Sequence, residues 1–299
     1  SGLLKQYGIQ PKMEALASAS ITQALIGGSI DIAYASSVTI PTAVEKGAKL
    51  VVLGASYQGP IFSVVGNPSI KGLAGLKGKK LGTTQVGSTT YVLAEQLIQS
   101  VGLKPNKDVT LVPVGSNAAS IAALKSGELD AAVLSEPATT QAIDSGASMI
   151  YNQADSGVKS VGWVISVRRA YLSANKDTIT KFLKADIATV HFMKAEPDKA
   201  APLLSGLLDT SDPSVLSGSL AAMNRITENA LQIPTDDYTA KIAVAAASDP
   251  GLKNLELSSF VDTSLVDQIV ASGFVQSLGP DPSSSAAAPS APAASPSAP

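Results

Sequence analysis

The sequence predicts an α/β protein of two lobes, each a mainly parallel sheet flanked by helices, with a cleft between them. Three observations lead there. A helix-turn-strand phrase is written twice: Ala24, Leu25, Gly28, Ile30, Asp31, Ala33 and Ser36 recur as Ala123, Leu124, Gly127, Leu129, Asp130, Ala132 and Ser135, each pair 99 residues apart (130 − 31). The register continues without a gap, residues 46–51 lying opposite 145–150. A unit of that length is too long for a solenoid repeat or a propeller blade, so it marks paired lobes. Secondly, helix and strand signals alternate along the chain, and a strand returned by a crossover helix pairs in parallel. Thirdly, 299 residues that are 45% hydrophobic and 15% charged suffice for two domains with cores of their own.

Taken in order, an apolar stretch at 21–26 stops at Gly27-Gly28 and leads into a continuous apolar run over 30–35, which suits a strand covered on both faces. Further strands are predicted at 50–54, 80–83, 109–112, 131–134 and 148–151, alternating with helices at 37–46, 88–101, 118–126 and 138–145. The β-rich segments 60–65 and 162–167 bracket the second copy of the repeat, as crossover strands between lobes do, and are the hinge candidates. Beyond Arg169 the pattern turns helical, with helices predicted at 176–194, 197–208, 213–231, 238–248 and 264–272 that pack on the first lobe. The first lobe is therefore assigned to 1–62 with 168–279 and the second to 63–167. Residues 280–299 hold only Ser, Ala, Pro and one Asp, a composition with almost nothing to bury and so a flexible tail.

Composition excludes several functions. Gly, Ser, Thr or a charge interrupts every apolar run before the roughly 18 residues of a membrane span. A formal charge of −2, with three Arg and no Lys/Arg-rich run, leaves no electrostatic footprint for nucleic acid. The absence of cysteine rules out disulfides, thiolate nucleophiles, Cys-ligated zinc and iron–sulfur clusters. His191 is the single histidine, set between Val190 and Phe192 in the predicted helix 176–194, which suits packing better than base catalysis. No Ser/His/Asp ordering, metal-spaced histidines, P-loop glycines or Gly-x-Ser-x-Gly elbow is present. The reading is of a protein that is not an enzyme and uses neither metal nor cofactor. The chain opens where a helix is already ending, so upstream residues, with any signal peptide or lipid-anchor cysteine, are expected before Ser1.

Residues 2–9 (GLLKQYGI), 28–33 (GSIDIA), 73–82 (LAGLKGKKLG), 87–90 (GSTT) and 124–132 (LKSGELDAA) together resemble the substrate-binding proteins of ABC importers, in the branch of alkanesulfonate, nitrate and thiamine-precursor binders. The resemblance covers roughly residues 1–279 and lies in order and spacing. It implies the type II periplasmic-binding fold, two hinged lobes closing on one small molecule. Members begin with a β-strand and half a helix before the Gly-Leu-Leu-Lys phrase, and this chain starts after them. The same fold also hosts a pyrimidine-forming thiamine-pathway enzyme, whose cysteine-rich iron motif has no counterpart here, and ligand-sensing domains.

In open α/β sheets, ligands collect at the carboxyl ends of strands. Ser36 and Ser37 follow such a strand and either bond ligand or cap the next helix. Gln85-Val86-Gly87-Ser88-Thr89-Thr90-Tyr91 is the stronger candidate, because glycine allows close backbone approach and a hydroxyl-rich helix start favours an anion. The segment 115–118 repeats that pattern more weakly. Ser135 and Glu136 stand in the second copy where Ser36 and Ser37 stand in the first, and the Glu136 carboxylate suits a ligand with an amine, amidine or protonatable ring, or serves as a helix-dipole partner. Gln58 with Tyr57, Tyr91 and Trp163 lie near the expected hinges, where a ring sandwiches a planar ligand or packs in the core. No Arg falls in a candidate loop, so hydroxyls and N–H groups are left to hold an oxyanion.

The sequence thus points to a monomeric, extracytoplasmic solute-binding protein. It captures a small polar organic molecule or oxyanion of sulfonate, carboxylate or pyrimidine type. The membrane subunits of an ABC permease are its partners.

Overall fold

In the computed structural model, which describes residues 2–14, 16, 18–57, 62–86, 88–153, 161–246 and 249–280, the duplicated phrase folds into two like units. After α1 (Leu3–Gln6) the first unit runs α2 (Ser18–Gly27), β1 (Ile32–Ser36), α3 (Thr39–Glu45) and β2 (Leu50–Ala55). Then come β3 (Phe62–Gly66), β4 (Lys80–Thr83), α4 (Thr89–Ser100) and β5 (Thr110–Pro113). The second unit is α5 (Asn117–Ser126), β6 (Ala131–Ser135), α6 (Ala138–Asp144) and β7 (Ser148–Asn152). Both bounds of α5, β6 and α6 lie 99 residues beyond those of α2, β1 and α3 (117 − 18). The turns match as well: Gly28 and Gly127 take φ of 81° and 76°, Gly47 and Gly146 of 94° and 100°, left-handed values at which a Cβ is strained.

The strands form a three-stranded sheet in the order β1-β8-β2, where β8 is Trp163–Arg168, and a five-stranded sheet in the order β5-β4-β6-β3-β7. Each copy of the repeat therefore opens between its two strands to admit a third, β8 between β1 and β2 and β3 between β6 and β7. Both inserted strands pair antiparallel to their neighbours, whereas β4 pairs parallel with β5 and β6. The expected parallel character is thus confined to part of the second sheet. The reason is directional. The chain leaves β2 and β7 at their carboxyl ends and crosses to the other sheet. It enters each inserted strand from that same end and runs back against its neighbours.

Segments 60–65 and 162–167, expected to hinge the lobes, each fall within one sheet where described. β3 lies wholly in the five-stranded sheet and β8 wholly in the three-stranded one, so residues 163–167 sit with the first unit rather than the second. The chain passes from one sheet to the other between Tyr57 and Phe62 and between Gln153 and Val161, in segments outside the described residues.

Burial explains the unbroken apolar runs. Leu50 and Val52 face one core with Val164, Tyr238 and Phe260, while Val51 and Leu53 face another with Ile165, Val167 and Ile179. In the second sheet Val64, Ala131 and Val133 face one side, and Val65, Ala132 and Leu134 the other. Every residue of β2 is buried, as a strand covered on both faces requires. Arg168 ties β8 to the first turn, donating from Nη1 to Leu25 O (2.9 Å) and Ile30 O (2.6 Å) and from Nη2 to Asp31 Oδ1 (2.8 Å).

The remaining helices are α7 (Arg169–Ala174), α8 (Lys176–Ala195), α9 (Pro197–Ala200), α10 (Ser205–Leu208), α11 (Pro213–Ile226), α12 (Thr235–Ala245), α13 (Ser264–Ala271) and α14 (Phe274–Ser277). The helix expected over 197–208 is broken into α9, a 3-10 turn at Ala201–Leu204 and α10, because Pro202 supplies no N–H to continue it. The helix expected over 213–231 ends at Ile226, and Leu231 takes a φ of 58°. The tail from 281 lies outside the described residues.

Candidate functional site

A cleft of about 710 Å³ opens between the two sheets. Strand ends supply its floor: Tyr34, Ser56, Tyr57 and Trp163 from the three-stranded side, Ser63, Ser135, Met149 and Asn152 from the five-stranded side. The start of α6 adds Glu136, Thr139 and Thr140, α8 adds Asp186, Val190 and Met193, and α11 adds a wall from Gly218 to Ile226 that includes Arg225. Both parts of the repeat reach the cleft with carboxyl-terminal strand ends, the position that sheet topology favours for a ligand.

The polar centre is an acid drawn out of water. Asp186 Oδ1 accepts a 2.5 Å bond from the Tyr34 hydroxyl, and Tyr34 is held in turn against Phe182 with ring centroids 6.1 Å apart. Burial pushes the Asp186 carboxyl up to about 6, against the opposing pull of the Tyr34 bond. Tyr34 and Tyr57 are both raised, by burial first and then by the nearby Asp186 charge. Asp186 Oδ2 and Thr139 Oγ1 are buried with no hydrogen-bond partner among the described residues. Orphaned buried polar atoms are uncommon and mark places where a ligand or water completes the bonding.

Across the floor, Glu136 Oε2 accepts from Thr140 N (3.1 Å) and Thr140 Oγ1 (2.8 Å) at the positive end of α6. Asn117 Nδ2 donates to Ser135 Oγ at 3.3 Å. Apolar side chains in the lining are open as well: Ile143, Met149 and Leu207 are 39%, 42% and 73% exposed, surface that a bound molecule would cover. At the rim α11 comes so close to α6 that a Cβ on Gly218 would sit 2.8 Å from Thr140 Oγ1, and Ser214 Oγ bonds Asp144 Oδ2 at 2.9 Å.

Of the residues singled out in the sequence, Ser135, Glu136, Tyr57 and Trp163 line this cleft. Ser36 does not line it; its Oγ accepts from Val38 N at 3.3 Å, turning the chain so that α3 starts at Thr39. The strand partner of Ser36, Trp163, lines the cleft instead. Ser37 is fully buried, its Oγ donating to Val161 O (2.6 Å) and its carbonyl accepting from Tyr238 Oη (2.8 Å). Gln85 is exposed away from the cleft. Ser88 caps α4, accepting from Tyr91 N at 3.3 Å, and shares a hydroxyl cluster with Thr84 and the buried Thr90. Gln58, Gly87 and the Thr89 side chain lie outside the described residues. Tyr91 packs in the second core, accepting from Asn106 Nδ2. His191 faces Pro280 O at 3.4 Å, away from the cleft.

Sequence reasoning did not reach Tyr34, Asp186 and Arg225. Asp186 carried a readable signal: with Phe182 and Val190 it forms an i, i+4 row, so a charge interrupts the apolar face of α8. Arg225 had none beyond being one of three arginines.

The family described as NMT1/THI5 like matches residues 2–200. No curated protein matches the chain. Among solved structures, the periplasmic aliphatic sulphonate-binding protein SsuA from Escherichia coli shares 20% identity over 84% of this chain and 86% of its own, with a TM-score of 0.67. The alkanesulfonate-binding protein SsuA from Xanthomonas axonopodis pv. citri, bound to MOPS, shares 22% over 85% and 88%, with a TM-score of 0.62. A DSZB mutant in complex with biphenyl-2-sulfinic acid shares 13% over 91% and 93%, with a TM-score of 0.71. These likenesses establish the fold, that of periplasmic binding proteins.

Proposed function

The chain belongs to the NMT1/THI5-like family, and from that premise we propose that it is an extracytoplasmic solute-binding protein that captures a small polar organic molecule and hands it to the membrane subunits of an ABC importer. One observation carries the reading: a cleft of about 710 Å³ walled by both sheets, mostly apolar, with a few buried polar atoms left for a ligand to satisfy. The two solved SsuA proteins of like fold are sulfonate-binding proteins, which favours a sulfonate or related organic acid as cargo. No helix among the described residues is long and apolar enough to cross a membrane.

The mechanism needs no chemical step. Few convergent bonds made in a water-poor cleft supply affinity, and a change in lobe separation reports occupancy to the permease. The test is native mass spectrometry of freshly purified protein. A retained small molecule, released on denaturation and lost when Trp163 is replaced by Ala, is the expected result. Protein that carries no small molecule and acquires none from a set of alkanesulfonates, aryl carboxylates and aminopyrimidines overturns the reading.

A further inference from the structure

We propose that the cleft selects an ampholyte, a molecule whose ammonium or N–H group bonds Asp186 Oδ2 and whose acidic group meets Arg225, with an apolar body between them. The inference rests on the solute-capture reading and narrows it. Among the described residues three charged side chains line the cleft, Glu136, Asp186 and Arg225, one cation against two carboxylates. A bare anion entering there meets more negative charge than positive.

The two acids are not equivalent. Glu136 is engaged by Thr140 and sits at a helix N-terminus that suits its charge. Asp186 has only the Tyr34 hydroxyl, on Oδ1, while Oδ2 is buried with no partner among the described residues. An ionised carboxylate held out of water with one oxygen unbonded is costly unless a donor arrives to complete it. Thr139 Oγ1, on the opposite wall and likewise unpartnered, offers a second bond to the same ligand.

Arg225 supplies the other pole. It is exposed, lines the cleft, and has no hydrogen-bond or ion-pair partner among the described residues. A guanidinium left open at the last turn of α11 presents the paired donors that carboxylates and sulfonates accept. Ile143, Met149 and Met193 line the same cleft, which suits a ligand whose charged ends are joined by an apolar part.

The test uses matched pairs that differ by one ammonium group: para-(aminomethyl)benzoate against para-toluate, and γ-aminobutyrate against butyrate. Binding to the intact chain is measured at pH 7.5 by calorimetry and by the emission of Trp163. In at least one pair the amino compound is expected to bind tenfold or more tightly than its partner. Asp186→Asn should collapse that preference, the amino compound losing affinity while the plain acid, relieved of one negative charge in the cleft, binds as well or better. Arg225→Gln should weaken both members of the pair together. Equal affinity within both pairs, or a preference that survives Asp186→Asn, overturns the inference and leaves the capture reading standing. Absence of binding in both pairs also overturns it, and capture itself is then judged by the mass-spectrometric experiment. Thermal melting of Asp186→Asn establishes that the variant is folded.

Discussion

Replacing Asp186 by Asn should stabilise the ligand-free chain at pH 8 and leave it nearly unchanged at pH 4. Burial lifts this carboxyl from 3.8 to about 6 in the native protein. Between those values the native state holds a proton that the unfolded chain has released, so wild-type stability falls as pH rises through the window and levels off above it. A rise of roughly two units at about 1.4 kcal/mol each makes the ionised form cost on the order of 3 kcal/mol at pH 8. Asn removes that cost yet keeps an oxygen for the Tyr34 hydroxyl. The titratable groups facing Asp186 from neighbouring elements are Tyr34 and Tyr57, both raised and so neutral across the window. Glu136 and Arg225 line the same cleft and are present in both proteins. For a chain of this size the gain corresponds to a melting temperature higher by about 5 °C at pH 8. Calorimetric or circular-dichroism melts of both proteins at pH 4, 6 and 8 make the measurement. A variant that melts lower than wild type at pH 8, or by the same margin at every pH, would refute the assignment of Asp186 as a desolvated, ligand-awaiting acid.

Other substitutions separate framework from site. Ser37→Ala removes a bond to Val161 O inside the first core and should lower stability by about 1–2 kcal/mol, read in a denaturant melt, without altering the affinity for a cleft ligand. Ser88→Ala removes the cap of α4 and should cost about 1 kcal/mol, again with unchanged ligand affinity by calorimetry; a tenfold loss of affinity would return the Gln85–Thr90 loop to the site. Gly218→Ala drives a methyl group against the Thr140 side chain at the rim, so Thr140 or α11 must shift, and the ligand affinity read by calorimetry should fall several-fold.

The framework was legible because repetition is a sequence property. Helix, turn and strand recur at one offset, Gly28 and Gly127 mark the same left-handed turn, and the folded elements keep that spacing. The inserted strands were harder to place. The apolar runs at β3 and β8 show that they are strands, but which sheet each joins depends on the crossings rather than on local pattern. The site was half legible. Ser135 and Glu136 follow from the repeat, because the second copy delivers them to a strand end at the cleft. Ser36 and Ser37 occupy the matching place and are consumed by local bonds, so duplicated sequence does not guarantee duplicated use. Tyr34 and Asp186 are 152 residues apart and meet only once α8 packs on the first sheet. No pairwise spacing could have shown that.

Capture of a solute between the sheets is tested most directly through Trp163, the chain's single tryptophan and a lining residue of the cleft. Its emission should be followed while the molecule identified by native mass spectrometry is titrated back into stripped protein. The account predicts a saturable spectral shift at one molecule per chain, with the affinity that calorimetry gives. Saturable calorimetric binding with no change in Trp163 emission would contradict it and move the site out of the cleft.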